Sequence, residues 1–443
     1  MKRRNLQDLK SVLNRRDFLK LSGAAAGAAS LNLSFAPKAL AGGSGQKVIV
    51  YVFLRGGLDG LAWLPPVAGP DYGHLVDARN PGRTLVDIND SNVDRRPIPL
   101  GANGQNLGFH PWCDGLAGLY SENRLAVVQA AGHPPNTFTR SHFDAQEQIE
   151  LGQPINVNGT GEALPGNGWL TRYLTLSPNT PAPGAIFSAM VSNNTPPASL
   201  GGWSDVATLD SPDNFNPDTG TYGSTQLAML STMYAGNGAL DIAAGAALDA
   251  IDLINSIDLD SYVPGGGVTY PNTNQGRDLQ LIAQLIREDL GIAAATMDIG
   301  GWDTHNNQNV FNEFNDFGEN IADLNDALTA FYRDLQGAGY IDDVAVVVQS
   351  EFGRQVKENA SFGTDHGLGN PMLVMGGGVN GGQVYGSTLG IAPADRIGDS
   401  LVPQTDFRNV LGEVAGGLLG HPDVPGIFAD PGFSYSPLGF STP

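Results

Sequence analysis

The stretch MDIGGWDTHNN, Met297 to Asn307, ends a run of strand-forming residues with Asp303 and His305, two positions apart. In extended backbone, residues i and i+2 project from the same side, so this carboxylate and imidazole can converge on one cation. Taken alone the pair has a second reading, in which Asp303 caps a following helix and His305 is a loop histidine. Elsewhere the same pattern recurs, with a polar group where an apolar run stops or is about to begin. Asp59 follows VIVYVFLRGGL, although LDG is also an ordinary turn tripeptide. Glu351 and Arg354 follow VAVVVQS, where an acid could also serve a helix N-terminus. His133, Thr139, Ser141 and His142 follow LAVVQAA, and Asp365 and His366 stand in GTDHGLGNP just ahead of another apolar run. Acids and histidines at five such places point to a shared site rather than to separate coincidences.

Asp59, Asp303, His305, Glu351 and His366 offer only carboxylate oxygen and imidazole nitrogen. That donor set suits one or two divalent ions, Zn²⁺, Mn²⁺ or Ca²⁺, and not a soft-metal centre. Ser141 is the candidate nucleophile. It precedes an apolar-periodic helix, a place typical of an N-cap, yet one that also puts its hydroxyl at the positive end of the helix dipole. Thr139 is the alternate. His142 is expected to point elsewhere on that helix, which leaves a bound metal to lower the pKa of the hydroxyl. Arg354 or Arg140 would steady an anionic group.

These residues need a scaffold that gathers strand ends. In a parallel α/β sheet, ligands bind at the carboxyl ends of the strands. Val48 to Leu54 is a near-continuous apolar run of the kind that is buried on both faces of such a sheet, and Leu125 to Ala131 is a second. HPWCDGLAGLYSENR reads as a helix with Leu116, Leu119 and Tyr120 on one side, and a further helix starts near Ser141. From about 152 to 275 the chain turns rich in Gly, Pro, Asn and Thr. This stretch reads as an insertion or cap over the sheet, with a short strand in GAIFSAMVS and an acidic helix in GALDIAAGAALDAIDLINSIDLDSY. The alternation then resumes with DLQLIAQLIREDLG as helix, IAAATMDIGG as strand, VFNEFNDFGENIADLNDALTAFYRDLQGAG as a long helix, VAVVVQSEFGR and PMLVMGGGV as strands, and TDFRNVLGEVAGGLLG as the closing helix. The expected fold class is α/β, a mainly parallel sheet sandwiched by helices.

The first 41 residues stand apart. NRRDFLK carries a twin arginine, Arg15 and Arg16, followed by a weakly apolar Ala/Gly/Leu run and the small-residue cleavage site Ala39-Leu40-Ala41. This is the pattern of a twin-arginine export signal, so the expected destination is the periplasm or beyond, with no membrane span in the mature chain. The signal holds eight of the 24 Lys/Arg and two of the 45 Asp/Glu, which leaves residues 42–443 with a net charge of −27. A surface so acidic repels nucleic acid and anionic lipid. Cys113 is the single cysteine, which excludes an intramolecular disulfide framework.

Through NRRDFLK, FLRGGLDGL, RSHFDAQEQIELG, GGWDTH, SEFGR and GTDHGLGNPMLVMGGGV the chain resembles the twin-arginine-exported bacterial family known as domain of unknown function number fifteen hundred and one. That family resembles the alkaline phosphatase and sulfatase superfamily. The resemblance implies a three-layer α/β/α domain over 42–443 that hydrolyses phosphate or sulfate esters, with a small anionic ester or a decorated polysaccharide as substrate. Carried over, Asp59 matches the acid after the first strand, Ser141 the nucleophile, Asp303 and His305 an acid-plus-histidine pair, Glu351 the acid of a later pair, and His366 the last histidine. Two departures stand out: Phe352 occupies a position where the superfamily has histidine, and the D-x-x-x-H spacing is shortened to Asp303-Thr304-His305. Neither Cys113 nor Ser141 lies in a C/S-x-P-x-R setting, which argues against a formylglycine sulfatase. The missing histidine leaves open an alternative, a non-catalytic exported binding or assembly protein with a protein partner on the same fold.

Overall fold

The computed structural model describes residues 45–154, 167–177, 188–192, 195–203, 206–208, 223–238, a few positions between 240 and 248, 261–312, 317–387 and 389–441. Strand β1, Val48–Leu54, runs through the middle of a nine-stranded sheet, with all seven residues buried. Its side chains alternate between two cores: Val48, Val50, Val52 and Leu54 pack on one face, Ile49, Tyr51 and Phe53 on the other. Burial on both faces is why the run is apolar at every position and not at every second one.

The other strands of this sheet are β2 (Leu125–Gly132), β3 (Ala189–Val191), β4 (Val206–Thr208), β5 (Ala294–Ile299), β6 (Val344–Ser350), β9 (Asn370–Gly376), β10 (Val384–Tyr385) and β11 (Thr405–Asp406). Between β6 and β9 a small antiparallel hairpin forms from β7 (Arg354–Glu358) and β8 (Thr364–His366). The order across the sheet is β10-β2-β9-β6-β1-β5-β3-β4, with β11 also paired to β2. Every pairing is parallel except the two made by β9, with β2 and with β6.

Helices α1 (Asp114–Ser121), α4 (Asn274–Arg287) and α5 (Phe317–Ala338) bury their apolar stripes against one face. Helices α2 (His142–Leu151), α3 (Trp169–Leu176) and α6 (Phe407–Glu413) cover the other. This is the expected α/β class, a mainly parallel sheet between two helical layers.

One expectation is corrected. Parts of the Gly/Pro-rich stretch 152–275 do not cap the sheet: β3 pairs in parallel with β5, and β4 with β3, so both extend it at one edge. Most of the acidic helical segment expected between 238 and 262 lies outside the described residues. The strand in PMLVMGGGV runs opposite to its neighbours. The β7–β8 hairpin sits at the carboxyl edge, and the chain re-enters the sheet straight from it, without the long crossover that a parallel strand needs.

Candidate metal centre

Three parallel strands, β1, β5 and β6, end at one edge of the sheet, and their loops are knotted together by Arg354. This arginine is fully buried. Its Nε donates to Gly57 O at 2.6 Å, Nη1 to Thr364 O at 2.8 Å, and Nη2 to Trp302 O at 2.9 Å, to Gly56 O, and to Asp303 Oδ1 at 2.7 Å. The loop after β1 can pass this close only because it is glycine. A Cβ on Gly56 would lie 2.6 Å from Asp303 N, and one on Gly57 2.5 Å from the Phe352 ring, and both residues have positive φ. Because β9 is antiparallel, the residues that precede it, including His366, reach the same edge.

Around Asp303 Oδ1 lie three imidazole nitrogens: His366 Nε2 at 3.0 Å, His305 Nε2 at 3.1 Å and His142 Nε2 at 3.5 Å. Each ring is fixed from behind. His142 Nδ1–H donates to Glu351 Oε1 at 2.7 Å, His305 Nδ1–H to Asp365 Oδ1 at 2.9 Å, and His366 Nδ1–H to the Arg140 carbonyl at 2.8 Å. A carbonyl oxygen or an ionised carboxylate can only accept, so the proton of each neutral ring is committed to Nδ1 and the Nε2 lone pair faces inward. Phe352 walls the cluster, with its ring centroid 4.9 Å from those of both His142 and His366.

The charges are set by these contacts. Burial pushes the Asp303 carboxyl up, but the hydrogen bond and positive charge of Arg354 outweigh it and bring the pKa down to about 2. Glu351 is wholly buried, which also pushes upward, yet donors from His142, Gln146 and the Gly56 backbone hold it below the usual carboxylate range. The Asn359 amide, ahead of His305, lowers Asp365. Hydrogen bonding to Glu351 raises His142, and burial lowers His366.

His142, Asp303 and His366 offer ligand atoms that all lie within 4.8 Å of one another. Two observations show that this donor set fits a divalent ion. His142 Nε2 is buried without a hydrogen-bond partner, a costly state for a polar atom with nothing to bind. His305 Nε2 and His366 Nε2 approach to 2.8 Å, two lone pairs face to face. Four donor separations, 2.8 to 3.5 Å, lie near the roughly 3.3–3.4 Å edge of a tetrahedron with Zn–N bonds of about 2.0–2.1 Å, with His305 standing outside the mutually close set of His142, Asp303 and His366. The Nδ1 partners form the outer support that ligating histidines usually have.

Of the residues singled out in the sequence, Asp303, His305 and His366 come together here. Glu351 does not join them as a ligand; its carboxylate stands behind His142. Asp59 is fully buried elsewhere, bridged to Arg79 at 2.6 and 3.1 Å and accepting from Gln308 Nε2 at 2.6 Å. Its oxygens neutralise that arginine. Arg354 has its donors turned to backbone carbonyls and Asp303, so it braces the loops and does not face outward to an anion. Ser141 is the N-cap of α2, with its hydroxyl accepting from Asp144 N at 3.4 Å. The exposed Arg140 guanidinium reaches Ser400 Oγ at 2.7 Å and Ile397 O at 3.2 Å.

Residues 133–402, more than half of the chain, match the family described as protein of unknown function (DUF1501). The chain belongs to that family. The matched stretch contains His142, Asp303, His305 and His366 together with Glu351, Arg354 and Asp365, and leaves out Asp59 and the glycine loop after β1. A twin-arginine translocation signal matches residues 12–31, so this DUF1501 protein is exported by that route to the periplasm or beyond. No described helix is long and apolar enough to cross a membrane. Among curated proteins none matches. Among solved structures the chain is similar to the PsFucS1 sulfatase from Pseudoalteromonas sp., with 10% identity, 96% of this chain and 77% of that chain covered, and a TM-score of 0.39. It is also similar to an alkaline phosphatase from the Antarctic bacterium TAB5, with 12% identity, coverage of 75% and 92%, and a TM-score of 0.30.

His142 is the residue that sequence reasoning turned away from the site. In this DUF1501 chain, His142, Gln146 and Glu150 are spaced i, i+4, i+8 along α2 and form one polar stripe against the strand ends. Gln146 Nε2 donates to Glu351 Oε1 at 2.9 Å, and its own oxygen accepts from Arg55 Nη1 at 2.9 Å. Arg55 in turn pairs with Glu150 and, at 2.8 Å, with Asp298. The i, i+4, i+8 spacing of these polar residues along the helix was the available signal.

Proposed function

We propose that this DUF1501 protein is an exported hydrolase of phosphate or sulfate esters that works with a divalent metal ion held by His142, Asp303, His305 and His366. The observation that carries the reading is the convergence of three back-anchored imidazoles on one ionised carboxylate, with a buried Nε2 left without a partner. Three nitrogens and one oxygen favour Zn²⁺ or Mn²⁺ over Ca²⁺, which takes oxygen ligands. A metal ion held there would polarise an ester oxygen and offset charge developing on it. Asp303 stays ionised across the physiological range, Arg354 keeps that carboxylate in place, and Phe352 closes one wall against water. Arg140, whose carbonyl orients His366, is the exposed cation available to a small anionic ester or an ester-decorated polysaccharide.

The test is metal analysis of the purified mature protein, followed by turnover of an aryl phosphate and an aryl sulfate by wild type and Asp303→Asn. Bound metal at one ion per chain, and turnover lost in the variant, is the expected result; a wild-type protein without metal or turnover overturns it. The helix-cap role of Ser141 favours a second reading, an exported binding or assembly protein that keeps the metal but has no nucleophile. Stoichiometric metal with no turnover of either ester would select it.

A further inference from the structure

Resting on the reading of the cluster as a metal centre, we infer that Glu351 is its positioning residue: the carboxylate aims the His142 Nε2 at the metal without ligating it, and Gln146 aims the carboxylate. His142 is the one imidazole of the three that arrives on a helix, the others coming from the loop after β5 and from the end of β8, so its orientation depends on what α2 is docked against. Glu351 Oε1 gathers three donors, Gly56 N at 2.9 Å, Gln146 Nε2 at 2.9 Å and His142 Nδ1 at 2.7 Å. Ser350 Oγ stands 2.9 Å from Oε2 and 3.0 Å from Leu58 N, from which it accepts. The carboxylate is therefore pinned from β1, β6 and α2 together and has no freedom to swing toward the cluster.

Gln146 is itself held at both ends. Its oxygen accepts from Arg55, so its amide N–H₂ can only face Glu351. A line of directed bonds thus runs from Asp298 on β5, through Arg55 and Gln146, to Glu351 and His142. Each link fixes the donor and acceptor sense of the next. The outcome is a His142 ring locked as the Nδ1–H tautomer, with Nε2 free to ligate. Outer partners of this kind typically contribute about 10–100-fold to metal affinity.

The experiment loads the full mature protein with Co²⁺ and reads two quantities: the dissociation constant by chelator competition, and the visible absorption that reports coordination geometry. Glu351→Ala should weaken Co²⁺ binding about 10–100-fold and alter the spectrum, because His142 loses its anchor. Glu351→Gln keeps an acceptor oxygen for His142 and should retain the wild-type spectrum with a smaller loss, a rescue that mere packing would not produce. Should Glu351→Ala fail to fold, Gln146→Leu, which removes one donor to the carboxylate and leaves His142 untouched, is expected to weaken Co²⁺ about tenfold. Wild-type affinity and spectrum in a folded Glu351→Ala, or in Gln146→Leu, would overturn the inference. Failure of the wild type itself to take up Co²⁺ would instead sink the metal reading on which it rests.

Discussion

Ser141 and His142 are neighbours with separate duties, and a pair of substitutions should separate them. Ser141→Ala removes the hydroxyl that accepts from Asp144 N. It should lower stability by about 1 kcal/mol, the usual cost of losing an N-cap, and leave metal content unchanged. His142→Ala removes one of the proposed ligand atoms and should lower metal content in mature protein washed with a weak chelator, at an unchanged helical circular dichroism signal. Metal lost from Ser141→Ala and kept by His142→Ala would reverse the assignment. Asp303, His305 and His366 were legible in the sequence because acids and histidines at the ends of apolar runs are conspicuous. His142 was not, since its direction depends on which face of α2 meets the sheet. Nor could spacing show that Asp59 is consumed by Arg79, twenty residues away in sequence, or that the Arg354 donors are turned to backbone carbonyls. Such pairings are decided by tertiary packing.

At the scale of elements, the apolar runs gave β1, β2, β5, β6 and β9 because each is buried on both faces, and periodic stripes gave α4 and α5. The direction of β9 was hidden, because an antiparallel strand in a two-sided core is as apolar as a parallel one. Its direction matters to the site, since it is what brings His366 to the carboxyl edge. The β1 loop is an equally strong constraint. Gly57 has φ of +69° and sits where a Cβ would lie 2.5 Å from Phe352 Cε2. Gly57→Ala therefore meets both a left-handed backbone, roughly 1–2 kcal/mol for a non-glycine residue, and a ring that cannot retreat from His142 and His366. The expected result is a loss of about 2–4 kcal/mol in urea unfolding with an unchanged m-value, from strain plus overpacking. A midpoint equal to wild type would show that Phe352 yields, and that it is no fixed wall.

For the whole molecule, acid stability follows from histidines buried in the neutral state. His110 is fully buried, with Nε2–H donating to Val310 O at 2.8 Å and Nδ1 accepting from Trp112 N at 3.2 Å. Both nitrogens are spoken for in one tautomer, and a second proton on Nδ1 would face the Trp112 N–H. Burial accordingly brings the His110 pKa down to about 4, and burial does the same for His133. In the unfolded chain a histidine titrates near 6.5. Between these values the unfolded state binds a proton that the native state refuses, so stability rises with pH across that window. The His110 contribution is complete above about pH 6.5, falls as the pH drops toward 4, and levels off below. A depression from about 6.5 to about 4 corresponds to about 3 kcal/mol. The surplus of carboxylates adds its own pH dependence, and metal release from the His142 cluster would add another, so the comparison is between two chains under chelator. Urea midpoints of metal-free wild type should fall more steeply from pH 7 to pH 4.5 than those of His110→Gln, whose amide can both donate and accept but does not titrate. Parallel curves for the two would mean that the His110 site opens to water before the fold gives way, and that acid sensitivity arises from the surface carboxylates instead.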